Sequence, residues 1–571
     1  MPKSPAILSG SRGLVSKALS LLLLIGLGGV AGCDQNEGAP DLIIYNANIL
    51  TIDDARPRAQ AFAVKEGIFS HVGSNEDVRA LADADTQSID AKGQTIIPGF
   101  NDAHLHALFI PPTAAKMSRA TSKDEIVALM KEQAAQAKPG EWIVGYGYDD
   151  TIIGGHLGSK DLDRISTTNP VIAIHASLHL FAVNAKALAA ASITSETPDP
   201  DGGVFYRDED GALTGLMGER PALSLLFVEG QPTFFPHDFQ SAVDGLDAFF
   251  DKALANGITS YGDALVPAEL ALAYWWADPE EAGVRVNLMY DGKDIDGAQR
   301  VTTADNILSW VGLGLFDGSW LRAKTIKLFH GHSLSGRTAR LFDEYSDRPG
   351  YFGDTPQRTQ AELDAIIARV HELGFQAAVH ANGDFEIDMV LTAMEKAVAA
   401  DPRLHRHRLE HASIVNDDLL ARSKELEIVL APHSYVYEKG PMIEAYGEER
   451  WDRMFANRST FELGIPNAGN SDFPVAALSP LLRIQSLVTR TSYAGKVYGA
   501  SQRLTVDQAL YVYTMGSAFA TFEENQKGSI TPGKYADFTF LSADPHDVAP
   551  GAISMIEVEA TYSDGVKRFQ K

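Results

Sequence analysis

The chain reads as an α/β protein: a distorted (β/α)8 TIM barrel with a small β-sandwich domain formed from both termini and an insertion over the barrel mouth. Three features of the sequence lead there. Both ends are cut into short β-like runs by Gly, Asn and Asp, while the middle alternates helical stretches with single apolar strands. A series of polar residues, spread over most of the chain, sits just past those strands, where a closed parallel barrel would bring them to one face.

The 571 residues exceed one ordinary small domain and fit a large barrel with an appended domain. A composition that is 45% hydrophobic and 22% charged provides for a packed core. The formal charge of −26 leaves no basic footprint to neutralise phosphates, which argues against a nucleic-acid partner. An acidic excess of this kind suits a surface that resists self-association.

The first 32 residues are set apart. Lys3, Arg12 and Lys17 precede the apolar run Leu21 to Gly32, which is short for a bilayer span and resembles the apolar region of a secretory signal. The run ends in Val30-Ala31-Gly32-Cys33, a bacterial lipoprotein cleavage box with Cys33 as the residue to be lipidated. The alternative is an unlipidated export signal that happens to contain a cysteine. Removing residues 1–32 takes away those three positive charges and moves the net charge from −26 to −29. Cys33 is the single cysteine, so the exported chain has no internal disulfide. Asp34 resembles the signal that keeps lipoproteins on the inner membrane. The expected location is therefore the bacterial cell envelope, at the periplasmic face of the inner membrane in preference to the outer membrane. Residues 33–40, containing DQNEGAP, read as a tether.

From Asp41 the runs DLIIYNANILTID, AFAVKEGIFSHVG and QSIDAKGQTIIPG carry strand and hairpin signals, and GSITPGKYADFTFLSADP and IEVEATYSDGVKRFQ repeat that texture near the end. We assign 41–97 and 520–571 to one composite β-sandwich and 98–519 to the barrel. Within the barrel, Thr359 and Glu362 form a capping box, and Leu363, Ile366, Ile367, Val370 and Leu373 share one helical face before Gly374. The strand FQAAVH then carries His380 at its end. A second helix, Asp417 to Glu425, leads into IVLAP, and Thr505 with Gln508 forms another capping box. Further candidate strands are Ile258–Tyr261, Val284–Tyr290 and Lys324–Phe329. The segment from about 111 to 250 is too long for one βα loop, contains its own strands and helices, and reads as the insertion that roofs the cavity.

The chemistry lies in His104, His106, Lys327, His380, His411 and Asp472. An H-x-H pair at a strand end places both imidazoles on one side, so both can reach one metal. Imidazole and carboxylate suit borderline divalent ions such as zinc, and five or six such groups converging would suit a two-metal site.

Taken together, PGFNDAHLH (98–106), VHANGD (379–384), RLEH (408–411) and NSDFP (470–474) resemble the amidohydrolase superfamily. They are most similar to its branch of metal-dependent hydrolases that includes the N-substituted formamide deformylases (amidohydrolase family 3). YGYD (146–149), HLFAVN (179–184), DGGV (201–204), GALTGLMGE (211–219) and KGSITPGKYAD (527–537) extend the likeness over nearly everything after Asp41. The resemblance implies that His104 and His106 bind the more buried of two zinc ions and His380 and His411 the second. It also implies that Lys327 is carboxylated to a bridging carbamate, and that Asp472 is both ligand and general base. It favours His179 over nearby His175 as a substrate contact and makes Glu219 a candidate for the same pocket. His433, at the end of an apolar run, and His332 join the substrate-binding candidates. Where relatives commonly carry Asp-Gly, this chain has Gly331-His332, so His330 and His332 are open between extra ligands, substrate contacts and surface residues.

The expected reaction is hydrolysis of an amide-like C–N bond by metal-activated hydroxide, with Asp472 passing the proton to the departing nitrogen. No G-x-S-x-G elbow, Walker loop or dinucleotide fingerprint competes. The rival readings are a deaminase or esterase on the same scaffold, and a lipid-anchored binding protein without turnover. Expected partners are a small-molecule substrate, the membrane through the Cys33 anchor, and a second copy in a homodimer.

Overall fold

The computed structural model describes residues 38–107, 114–200, 202–228, 239–310, 316 and 318–571. The leader, Cys33 and the first part of the tether lie outside them. Seven parallel strands follow one another in order around a barrel: β1 (Phe100–Leu105), β2 (Ile258–Val266), β3 (Arg285–Asp291), β4 (Leu321–Phe329), β5 (Gln376–Ala381), β6 (Arg408–His411) and β7 (Val429–Pro432). Nearly every residue in them is buried, as strands covered on both faces must be.

The eighth position is filled by an irregular stretch rather than a strand. Leu430 N donates to Pro466 O at 3.0 Å and Ala468 N to Leu430 O at 3.0 Å on one side. Ala103 N donates to Gly469 O at 2.8 Å and Asp472 N to His104 O at 2.9 Å on the other. The ring is thus closed by backbone hydrogen bonds, but Pro466 has no N–H to give a ladder, and Asp472 sits at φ 51°, outside the extended region. That combination is the physical source of the distortion.

Helices pack outside the strands in the manner of Gln360–Glu372. Thr359 caps it by accepting from Glu362 N, Glu362 returns the bond to Thr359 N at 2.8 Å, and Leu363, Ile367 and Val370 are buried against the sheet. Gly374 ends it with φ 85°, where a side chain would be strained, and β5 begins two residues later. Helix Phe239–Ala255 buries Leu246, Phe249, Phe250 and Leu254 in the barrel core, so this end of the 111–250 segment belongs to the barrel wall and not to the roof. The roof proper is a six-stranded mixed sheet made from 115–218, with separate apolar clusters that include Ile126, Met130 and Tyr148 in one and Ile172, Phe181 and Met217 in another.

The two ends of the chain build a four-stranded and a six-stranded sheet around Phe62, Phe69, Ile96, Phe538 and Tyr562, the last two stacked at 4.6 Å. Arg285, the buried first residue of β3, ties this unit to the barrel. It donates to Asp537 at 2.8 Å, contacts Asp564, and lies between the rings of Trp320 and Tyr535 at 3.9 and 3.7 Å. Among the described residues no helix is long and apolar enough to cross a membrane.

Candidate metal centre

The C-terminal ends of the strands bring the six chemistry-bearing residues to one buried point. His104, at the end of β1, directs Nδ1 to the Glu410 carboxylate, which Arg408 grips through two nitrogens at 2.6 and 3.0 Å. All three side chains are almost fully buried. With its Nδ1 proton given outward, His104 keeps the Nε2 lone pair for the cavity. His106 behaves alike: Nδ1 lies 3.0 Å from Ala264 O, so Nε2 is turned inward. Both Nε2 atoms converge on Asp472 Oδ1, at 3.6 Å from His104 and 3.3 Å from His106.

Lys327 Nζ, near the end of β4, is 3.4 Å from His104 Nε2. His380, on β5, has Nε2 3.0 Å from the carbonyl of His332 and 3.1 Å from Asn382 Nδ2. His411 ends β6 at φ 76°, and its buried Nδ1 has no hydrogen-bond partner at 4.0 Å from Asp472 Oδ2. Ligand atoms of His104, His411 and Asp472 all lie within 4.8 Å of one another.

Electrostatics favour the ligand forms. Burial, helped by the Lys327 charge, brings His104 down to about 4, and burial pushes His380 and His411 well below the ordinary imidazole range. Burial also lowers Lys327 to about 8. Asp472 is held at about 2 although burial by itself would raise it, so its carboxylate is ionised. Neutral imidazoles with inward lone pairs, an ionised carboxylate and an orphaned buried nitrogen form the donor set that a borderline divalent ion takes, so the residues fit a metal centre.

The cavity above this point is narrow. Ser177 and His179 come from the roof, Arg220 from the helix that follows it (Glu219–Ser224), and Phe329, His380 and Asp472 from the barrel. His179 thus reaches the cavity, whereas Glu219, His332 and His433 stand behind its wall. Glu219, held at φ 68°, accepts from His179 Nδ1 at 2.8 Å and from His332 Nδ1 at 3.1 Å. His332 Nε2 faces Thr355 O at 2.6 Å, so both of its nitrogens meet acceptors and both must donate. Although burial opposes it, Glu219 pushes His332 up to about 10, and the two histidines hold Glu219 at about 2 against burial. His433 stacks on His411 at 4.2 Å and on Tyr435 at 3.9 Å. His330 is buried with neither ring nitrogen hydrogen-bonded, and it does not line the cavity.

Sequence reasoning passed over the Arg408–Glu410 support, although an R-x-E alternation in a strand puts both side chains on one face. It also passed over Arg220 and a second group, Asp150, His156 and His175, whose ligand atoms lie within 4.8 Å. There Arg337 already pairs with Asp150 at 2.8 Å and His175 Nδ1 is 2.8 Å from Ser177 Oγ, an arrangement that braces the roof.

A profile of the amidohydrolase family matches residues 87–568. The N-substituted formamide deformylase of Arthrobacter pascens is 30% identical over 552 residues, covering 93% of this chain and 98% of the relative. Among solved structures, an uncharacterized metal-dependent hydrolase of Pyrococcus horikoshii OT3 superposes with a TM-score of 0.70 at 25% identity, covering 89% of this chain and 99% of that one. Another from Pyrococcus furiosus shares the fold with a TM-score of 0.67 at 24% identity, over 88% and 99% of the two chains.

Proposed function

Because the chain belongs to the amidohydrolase family, we propose that it is a metal-dependent hydrolase that cleaves a non-peptide C–N bond in an amide or formamide-like substrate. The observation that carries this reading is the convergence of His104 Nε2 and His106 Nε2 on the Asp472 carboxylate, with Lys327 and His411 at its edge.

In this reading His104, His106, Lys327, His380, His411 and Asp472 hold two divalent ions, with zinc the best match to the donors. Bound ions supply Lewis acidity, which acidifies water and polarises an acyl oxygen. Lys327 would take part as a carbamate: its neutral amine adds carbon dioxide and releases a proton, gaining oxygens of the kind that divalent ions accept as ligands. Asp472 accepts the proton of the attacking water at a carboxylate oxygen and delivers it to the departing nitrogen. The Arg408–Glu410 pair keeps His104 in one tautomer throughout. His179, held by Glu219, orients the substrate from the roof. A deformylase among the relatives favours an amide over the ring amine of a deaminase or an ester. The full donor set tells against a binding protein without turnover. We also propose, from the Val30-Ala31-Gly32-Cys33 box and Asp34, that Cys33 is a lipid anchor at the periplasmic face of the bacterial inner membrane, and that the protein can form a homodimer.

The test is turnover of a panel of N-formyl and N-acyl amines by zinc-loaded protein, with Asp472→Asn alongside. Release of free amine by the wild type, falling at least about 100-fold in the variant, supports the reading. Near wild-type rates in Asp472→Asn refute the assigned base.

A further inference from the structure

We propose that a pocket at the N-terminal ends of the barrel strands, on the face opposite the metal centre, binds a small organic phosphate, an apolar body with a dianionic head. The inference does not depend on the amide-hydrolase reading, because this pocket shares no residue with the cavity at the metal centre.

The pocket holds about 290 Å³ where β4 and β5 begin. Small-molecule sites run from roughly 300 to 1,000 Å³, so the ligand is a small one. Arg322 stands second in β4, about 16 Å of strand before Lys327. Asn287 pairs with Arg322 and Met289 with Thr325, so β4 carries one extra residue between those pairs. That irregularity breaks the alternation of the strand and lets Arg322, Lys324 and Thr325 all line one pocket.

Three residues of the wall, Arg322, Lys324 and Arg403, are cations, and no carboxylate lines it among the described residues. The carboxylates nearby are engaged elsewhere. Glu523 is buried behind the wall, with Oε2 on Lys527 at 2.7 Å and Asn287 at 2.9 Å, and it stays 3.6 Å from Arg322. Arg406 grips Glu524 through two nitrogens at 2.9 and 2.7 Å. Asp401, an exposed residue, lies 3.6 Å from Arg403 Nε, and Glu372 lies 3.4 Å from Arg369. Lys324 has a contact of its own and is left out of the count. Even so, Arg322, Arg403, Arg406 and Lys527 outnumber Glu523, Glu524 and Asp401, on a chain whose net charge is −26.

Donors in this wall lack acceptors. Arg322, with 18% of its side chain exposed, makes no hydrogen bond among the described residues, and neither does Arg403. Two guanidinium forks therefore keep their N–H groups for an oxyanion. His405 supplies one more: its Nδ1 accepts from His407 N at 3.0 Å, so the ring proton sits on Nε2. Burial, with the His371 and Arg403 charges, brings this ring to about 4, which leaves it neutral near pH 7. Paired forks, a lysine and an imidazole N–H suit the three oxygens and double charge of a phosphate monoester better than a single carboxylate. Phe375, Leu404 and Phe522 in the same wall would pack the apolar body.

The test is calorimetric titration of the zinc-loaded protein with phenyl phosphate, benzoate and phenol. Phenyl phosphate is expected to bind at least about 10-fold more tightly than benzoate, and Arg403→Gln to weaken it about 10- to 100-fold. Arg403 is an exposed residue, so this variant should keep the fold, which circular dichroism checks. Arg403→Lys should recover part of the affinity, which a folding defect would not. Absence of binding, equal affinity for benzoate, or an affinity that Arg403→Gln leaves unmoved, as binding at the zinc ions would be, overturns the proposal.

Discussion

The Nδ1 atom of His104 meets the carboxylate of Glu410, a residue 306 positions later, while its Nε2 looks the other way, 3.6 Å from Asp472. A carboxylate behind a ligand imidazole fixes the tautomer, raises its basicity and holds its plane. Glu410 is itself clamped by Arg408, so a rigid three-residue stack backs the centre.

Glu410→Gln is accordingly expected to weaken zinc binding about 10- to 100-fold while keeping the fold. Competition with a chelator of known affinity measures this. Wild-type zinc affinity in the variant would show that the stack does not support the ligand.

The Glu219 bridge gives a second prediction. Its two oxygens serve His179 and His332, so Glu219→Gln removes the charge that keeps His332 protonated and one anchor of His179. Unfolding in urea should show a loss of about 1–3 kcal/mol for that buried contact, and KM should rise as His179 loses its orientation. A change in neither would remove Glu219 from the support of the roof.

Much of the site was legible because strand ends in a parallel barrel meet wherever they fall in sequence. His104, Lys327, His380, His411 and Asp472 each follow an apolar run, and the structure brings them together. What could not be read depended on contacts between distant segments. The closing stretch 466–473 lacks a strand pattern because Pro466, Gly469 and Asp472 break it, yet it completes the ring by hydrogen bonds to β1 and β7. Glu219, His332 and His433 have side chains that suit substrate, but their partners turn them into wall supports. The helix Phe239–Ala255 read as roof because its apolar face gives no hint of which layer it will cover.

The far end of the barrel supplies a pH dependence. Glu523 is buried beside Lys527 at 2.7 Å and Arg322 at 3.6 Å, and also accepts from Asn287 at 2.9 Å. Burial would raise its carboxyl, but Lys527 and Arg322 bring it from 4.5 to about 2. A depressed carboxylate stabilises the folded state above its unfolded value, and that stability is lost as pH falls from 4.5 to about 2. The amount is about 3 kcal/mol. Denaturation followed from pH 6 to 2 should be less acid-sensitive in Glu523→Gln than in the wild type. Equal slopes would show that the pair does not couple to folding.

Removing metal should separate stability from folding. The proposed ligands are carried by barrel strands that close on their own apolar core, so chelated protein is expected to keep its circular dichroism but lose activity and unfold at a lower temperature. Zinc at 100 times its Kd should restore about 2.7 kcal/mol. An unchanged Tm on zinc addition would mean that no site of useful affinity exists.

The most direct measurement is anomalous diffraction at the zinc edge from crystals of the zinc-loaded enzyme. Two peaks roughly 3.5–4 Å apart, enclosed by His104, His106, Lys327, His380, His411 and Asp472, are predicted. Zinc found at Asp150, His156 and His175 instead, or no peak beside Asp472, would contradict the metal centre and the hydrolysis that depends on it.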